Sequence, residues 1–465
     1  MNSLVKASFQ SISPIDGSVY VERPYASEQD IERILEAAHK AQKVWKKTSL
    51  AERARYCTKA LDYFQSHTAG IAEELTWQMG RPIRYTPMEI KGGFLERARY
   101  MIEVAPKALE EVEVESSNKF KKFITREPLG TVLVLSPWNY PYLTSVNAII
   151  PALMAGNTVI LKHSEQTPLC AERYAAAFEF AGLPPGVFQY FHVSNDQVRN
   201  VILDPRIHQV SFTGSVEGGR AVQKAVGERL VSAGLELGGK DPAYVRQDAD
   251  LHHAIENLVD GAFFNSGQSC CGIERIYVHK EVYRDFVEGF VELTKKYKVG
   301  DPRQPGTTLG PMVRKQAAEK ASQQVENALK QGAEVLIQAS DFPSVEPPYF
   351  NPQVLVNVNH TMEIMQEESF APIVGIMPVS DDNEAVALMN DSKYGLTASI
   401  WTQDEEQAMA LGDLVQTGTW FMNRCDYLDP ALAWAGVKQS GRGCTLSTLG
   451  YETLTRPKSY HLKRV

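Results

Sequence analysis

From residue 130 onward the chain alternates short β-branched runs with amphipathic helical stretches, and this alternation restricts the fold more than any other feature. "GTVLVLSPW", "NTVILK", "IHQVSFTGS" and "DPAYVR" read as strands, with helices predicted around 142–155, 166–181 and 216–230. Strands that alternate with helices build a parallel, doubly wound sheet, because each connection must cross back over the sheet before the next strand begins. A second alternation follows, with "RIYVH", a helix from Val282 to Tyr297, a helix near 314–331, "TASIWT" and "GTWFMN". "LGGK", ending at Lys240, interrupts the series, so a domain boundary is expected at Gly238–Lys240. At 465 residues the chain is long enough for two or three domains with cores of their own.

Ahead of the alternation, Ser27 with Asp30 opens a helix that places Ile31, Ile34, Leu35, Ala38 and Trp45 at helical spacing. Ser49 opens a second helix, and Cys57 inside it reads as a core residue. Between Glu111 and Arg126 apolar and charged residues alternate around a Ser-Ser-Asn turn, which predicts a solvent-leaning hairpin. An alternating exposed edge of this kind invites pairing with a partner subunit, and a plain surface hairpin guarded by charge is the other reading.

The charge balance, 48 Lys+Arg against 56 Asp+Glu with no basic block, argues against nucleic acid and against an anionic membrane surface. A small-molecule ligand is expected instead. No apolar run reaches the length of a membrane span, and the opening "MNSLVKASFQSISPIDG" lacks a signal-peptide core, so a cytoplasmic protein with reduced thiols is expected. The six cysteines form no disulfide framework.

Doubly wound sheets bind ligands at the carboxyl ends of their strands, where helix N-termini present free N–H groups to phosphate. Three predicted strand ends carry suitable chemistry: "SPWNYP", "KHSEQTP" and "FTGSVEGG". Lys162 can bond ribose or phosphate oxygens, and Glu165 can accept from a ribose diol while repelling a 2′-phosphate, which tilts the expectation toward NAD over NADP. Gly214 permits close backbone approach, and Ser215 offers a hydroxyl at the next helix start. Each stretch taken singly is also an ordinary solvated strand end or turn, and the G-x-G-x-x-G fingerprint is absent.

"NSGQSCCGIER" places Cys270 beside Cys271 after a Gly-Gln pair. No CxxC or paired-histidine partner accompanies them, so no metal is expected, and a disulfide between neighbours would be strained. Two readings remain: cysteines packed as small hydrophobes, or a nucleophile delivered to an interdomain cleft by the loop that ends the helix predicted from Asp250. Glu236, at the boundary among apolar neighbours, could serve as a base or be an ordinary carboxylate. Asn139 could donate to an oxyanion or be a turn residue.

Together "PWNYP", "KHSEQTPL", "FTGSVEGG", "LELGGK", "NSGQSCCGIER" and "EESFAP", in this order along nearly the whole chain, resemble the aldehyde dehydrogenase superfamily. The resemblance implies a non-acylating, NAD(P)-dependent oxidation in which the nucleophile of G-Q-x-C falls on Cys270. The base falls on Glu236, whose presence argues against the CoA-acylating relatives, and the oxyanion amide falls on Asn139. Cofactor positions fall on Trp138, Lys162, Glu165, Ser215 and Leu237, with Glu368 and Phe370 at the nicotinamide riboside. The implied chemistry is a Cys270 thiohemiacetal, hydride transfer, and a thioester hydrolysed by water that Glu236 activates.

The resemblance also implies a dinucleotide-binding domain over 1–107 and 127–237, an α/β catalytic domain over 238–438, and an oligomerisation arm and tail over 108–126 and 439–465. The arm, with a final strand near 455–463, implies a homodimer or homotetramer. Tyr140, Phe264 and Trp434 fall on tunnel positions, and Arg424 could attract a carboxylate such as that of succinate semialdehyde unless Asp426 cancels its charge. His163, Glu274 and Trp434 depart from the usual residues, and the resemblance places them near the substrate tunnel. A thioester or ester hydrolase using the same Cys and Glu, and a catalytically silent fold, are the other two hypotheses.

Overall fold

A computed structural model describes residues 8–465; the first seven residues, the start of the stretch judged unlike a signal peptide, lie outside the described residues. Two sheets dominate. The first runs in the order Gly441–Arg442, Ser232–Glu236, Ile207–Thr213, Thr131–Ser136, Thr158–His163, Phe188–Tyr190, and all its pairings are parallel except the first. The second runs Glu334–Val335, Gln353–Val356, Ile373–Val379, Ile273–His279, Asp241–Val245, Thr397–Trp401, Thr419–Met422, again parallel apart from its first pair.

In the first sheet, Thr131–Ser136 and Ile207–Thr213 are neighbours although two strands separate them in sequence, so the winding reverses between them. That reversal opens a crevice at their carboxyl ends, where a parallel sheet accepts ligands. The chain leaves this edge after Glu236 and, through Leu237–Lys240, enters the second sheet at Asp241. "DPAYV", grouped by pattern with the first alternation, therefore lies in the second sheet. Ser232–Glu236 and Ile373–Val379 are strands that the pattern did not mark. The first is short and Gly-containing, and the second carries a proline near its end.

The N-terminal helices form as expected. The hydroxyl of Ser27 accepts from the Asp30 N–H and the Asp30 carboxylate accepts in return, and Ile34, Leu35, Ala38 and Trp45 are buried. Cys57 is fully buried, and burial pushes its thiol up to about 12. Helices Leu50–Ser66, Leu95–Ala108 and Pro141–Ala155 pack on the first sheet around Phe64, Phe94, Tyr142 and Tyr174, whose rings meet at 4.5–6.0 Å.

The predicted hairpin is shorter than expected: only Val112–Glu113 pairs with Phe120–Pro128. The long partner of Phe120–Pro128 is the C-terminal strand Thr455–Lys463, antiparallel over its whole length, whereas the first arm of the hairpin contributes only two paired residues. Among the described residues no helix is long and apolar enough to cross a membrane.

Candidate active site

The cysteines follow a turn that few sequences could hold. Asn265, Ser266 and Gly267 all have positive φ (53°, 56°, 67°), and the two non-glycines are in the left-handed region at a steric cost. Side chains hold the turn. The Asn265 amide donates to the Gln268 carbonyl (3.2 Å) and the Asn139 carbonyl (3.3 Å), and its oxygen accepts from Arg81 Nε (3.0 Å). Gln268 donates to the Asn265 carbonyl (3.1 Å) and accepts from the Val313 N–H (2.8 Å). A Cβ at Gly267 would meet the Ala371 carbonyl oxygen at 2.1 Å, so glycine lets the loop that carries Phe370 close against the cysteine turn.

The two thiols differ. Cys271 is buried at 3% exposure, and its S–H donates to Asp426 Oδ1 (2.9 Å), which also accepts from the Ser269 hydroxyl (2.9 Å). The contact with Cys270, then burial and the Asp426 charge, push the Cys271 thiol well up, so it stays protonated. Burial raises Asp426 to about 6. Cys270 is half-buried and borders the cluster that contains Cys271, Tyr142 and Trp434.

Asn139 follows the strand Thr131–Ser136 and is buried, its amide donating to the Gln268 carbonyl at 3.2 Å. Arg81 binds the Asn139 carbonyl, pairs with the buried Glu89, and lies 4.4 Å over the Tyr140 ring. Glu89 also accepts from the Tyr142 N–H (2.8 Å) at the start of helix Pro141–Ala155. The Asn139 loop and the cysteine turn thus share one buried guanidinium. Glu236 ends the strand Ser232–Glu236 and accepts from the hydroxyls of Thr213 (3.1 Å) and Thr445. Burial raises its pKa against those two hydrogen bonds, as a base working near neutrality requires.

Most of the expected cofactor residues stand at or just beyond strand ends of the first sheet. Lys162 and Glu165 line a cleft of about 680 Å³, where burial lowers the Lys162 pKa and one Glu165 oxygen accepts from the Tyr25 hydroxyl (2.8 Å). Ser215 caps the helix Val216–Val226 through the Gly218 N–H (3.1 Å), and a Cβ at Gly214 would strike the Phe212 ring at 2.7 Å. Leu237 is buried next to the chain crossing. Glu368 accepts from the Gly239 N–H (3.0 Å), burial and then Glu274 push it up to about 8, and a Cβ at Gly238 would meet its carboxylate at 2.4 Å. Phe370 stands edge-on to Trp138 at 5.8 Å, with φ 51°. A cationic lysine, a helix N-terminus and a carboxylate at a glycine-lined edge suit a dinucleotide.

One expectation changes, and two departures from the family pattern find local partners. Arg424 and Asp426 form no ion pair: Arg424 is exposed with its guanidinium 3.5 Å from the Tyr427 ring centre, while Asp426 turns inward to Ser269 and Cys271. Glu274 is buried, accepting from Lys240 Nζ (2.5 Å) and from the Ser369 and Phe370 N–H groups (2.8 and 2.9 Å). It therefore shapes the loop of Glu368 and Phe370. His163 is also buried, between the Pro141 carbonyl (3.4 Å) and Thr167 (3.1 Å), and burial lowers it to about 3. Of the aromatic residues expected at the tunnel, Phe264 meets Tyr85 edge-on at 5.1 Å, and Trp434 is buried in the cluster with Cys271.

Sequence reasoning missed Arg81, Glu89 and the role of Asn265, and gave Asp426 only as a partner for Arg424. The one signal for them was "NSGQ", whose Asn-Ser-Gly run marks a tight turn.

Comparison with known proteins agrees with this architecture. Residues 2–460 match the model of the Aldehyde dehydrogenase family. The chain is 34% identical to a succinate semialdehyde dehydrogenase [NAD(P)+] of Escherichia coli (strain K12), over 95% of each chain. It is 32% identical to a D-glyceraldehyde dehydrogenase (NADP(+)) of Thermoplasma acidophilum, covering 91% of this chain and 86% of the relative. A solved succinic semialdehyde dehydrogenase from Streptococcus pyogenes, in complex with NADP+, superimposes with a TM-score of 0.93 at 29% identity, over 98% of this chain and 100% of that one. With sequence and fold matched from end to end, the chain belongs to the aldehyde dehydrogenase family.

Proposed function

We propose that this aldehyde dehydrogenase oxidises the semialdehyde of a short dicarboxylic acid, such as succinate semialdehyde, with Cys270 as nucleophile. The observation that carries the assignment within the pair is the contrast between a half-exposed Cys270 and a Cys271 whose S–H is buried and held by Asp426. The Cys270 thiolate adds to the aldehyde carbon, and the oxyanion accepts from the Asn139 amide and the Cys270 backbone N–H. Bound NAD or NADP supplies the hydride acceptor. Cys270 then carries the acyl group as a thioester, and Glu236 takes a proton from the water that releases the acid. Trp138, Lys162, Glu165, Gly214, Ser215, Leu237, Glu368 and Phe370 hold and orient the cofactor, and Tyr140, Phe264 and Trp434 surround the aldehyde. A redox-free thioester hydrolase is not favoured, since both the family and the carboxylate at the glycine edge point to the nucleotide.

The proposed division is a nucleotide domain of 1–107 with 127–237, a catalytic domain of 238–438, and an arm of 108–126 with 439–465. Gly441–Arg442, which adds a strand to the first sheet, ties the tail to the nucleotide domain. The exposed Val112, Val114 and Leu462 of the arm support assembly as a homodimer or homotetramer, and a cytoplasmic location accords with the free cysteines. Absorbance at the reduced-nicotinamide band, with NAD and NADP in separate runs over anionic, neutral and cationic aldehydes, tests the activity. No reduction with any pair would overturn it.

A further inference from the structure

Arg97 sits on the inner side of helix Leu95–Ala108 and is 6% exposed. Among the described residues its guanidinium makes one hydrogen bond, from Nη1 to the Leu143 carbonyl (2.7 Å) in the first turn of helix Pro141–Ala155, two residues beyond Pro141. Nε is enclosed without a partner, and among the described residues no carboxylate pairs with the guanidinium, in contrast to Arg81 with its Glu89. A guanidinium stays charged in a protein, and a buried charge without a counter-ion is costly.

One helical turn beyond Leu143, Asn147 is also buried, and its Oδ1 is likewise enclosed without a donor. Helical side chains lean toward the N-terminus, so Asn147 leans toward the turn that Arg97 contacts. Leu143 lies four residues after Asn139, and Leu143 and Cys270 border the same buried cluster, so the guanidinium faces the helix that starts beside the candidate oxyanion donor.

We propose that Arg97 is the receptor for the carboxylate of the aldehyde substrate, with Nδ2 of Asn147, one turn along the helix that Arg97 contacts, as a second donor. This rests on Cys270 being the thiol that takes the aldehyde. The unused Nε edge of the guanidinium matches a carboxylate, and the substrate supplies the counter-charge that the fold omits. Arg424, exposed and stacked on Tyr427, is replaced in that role by an arginine from a distant helix.

The test compares succinate semialdehyde with butanal, a chain of the same length without the carboxylate. Arg97→Gln should lower the ratio of kcat/KM for the anionic over the neutral aldehyde by about 10- to 100-fold, the range for losing a hydrogen bond to a charged group. Asn147→Asp, which gives the guanidinium an internal partner and spares the packing, should lower the same ratio. A ratio within about threefold of the parent in both variants overturns the proposal, because a merely structural role would depress both aldehydes alike. A turnover-free arm measures the rate of iodoacetamide alkylation of Cys270 with succinate or succinamide present. Succinate should protect the parent and not Asn147→Asp, and equal protection of the two overturns the receptor. If no aldehyde is oxidised at all, the dehydrogenase reading fails while this arm still decides the receptor.

Discussion

Replacing Glu368 by Gln should stabilise the protein by an amount that grows with pH. Burial, and after it the Glu274 charge, hold the Glu368 carboxyl at about 8 against an ordinary 4.5. In the unfolded chain the group ionises at its ordinary value, whereas in the fold it keeps its proton until about pH 8. Between those values the folded state binds the extra proton, so stability falls as pH rises across the window, and below it there is no penalty. At about 1.4 kcal/mol per pH unit, the cost above pH 8 is on the order of 3–5 kcal/mol. The Gly239 N–H that now donates to the carboxylate can donate to the glutamine oxygen, so the substitution removes the charge and keeps the contact. Thermal unfolding followed by fluorescence should show a small gain in Tm at pH 5 and a gain of several degrees by pH 9. A gain that is equal at both pH values, or larger in acid, would refute the reasoning.

Four further outcomes are expected. Cys270→Ser should abolish turnover while Cys271→Ser leaves most of it, and steady-state rates that fall equally would reverse the assignment within the pair. Glu236→Gln should slow deacylation by about 10²- to 10⁴-fold, visible as a burst of reduced nicotinamide followed by a stall. In the parent, kcat should fall as pH drops through the raised pKa of Glu236, because the base must be ionised to act. Gly238→Ala should push Glu368 away, since the new Cβ would lie 2.4 Å from its carboxylate; loss of the Tm rise that NAD gives the parent checks this.

The main elements of both sheets were legible in the sequence because a strand or helix that packs one face against a core must repeat that face in its own residues. The capped helices from Ser27 and Ser49 are local in the same sense, since a cap needs a partner only three residues away. Motif resemblance carried the cysteine, the glutamate and the two glycines of "LGGK" to their places. The physical reason for those glycines became visible only when Glu368 and the Cys270 carbonyl were seen pressed against them.

Tertiary structure decided what surrounds the chemistry. Asp426, two residues from Arg424 in sequence, turns to Ser269 and Cys271, and the buried guanidinium that lacks a carboxylate partner among the described residues belongs to Arg97, far earlier in the chain. His163 and Glu274, singled out for their departure from habit, hold a strand end and the Phe370 loop through local hydrogen bonds. Periodicity records which face of an element is buried, and a motif records which residue reacts. Neither records which distant charge will stand opposite it, because that pairing exists only once helices and strands far apart in the chain have packed.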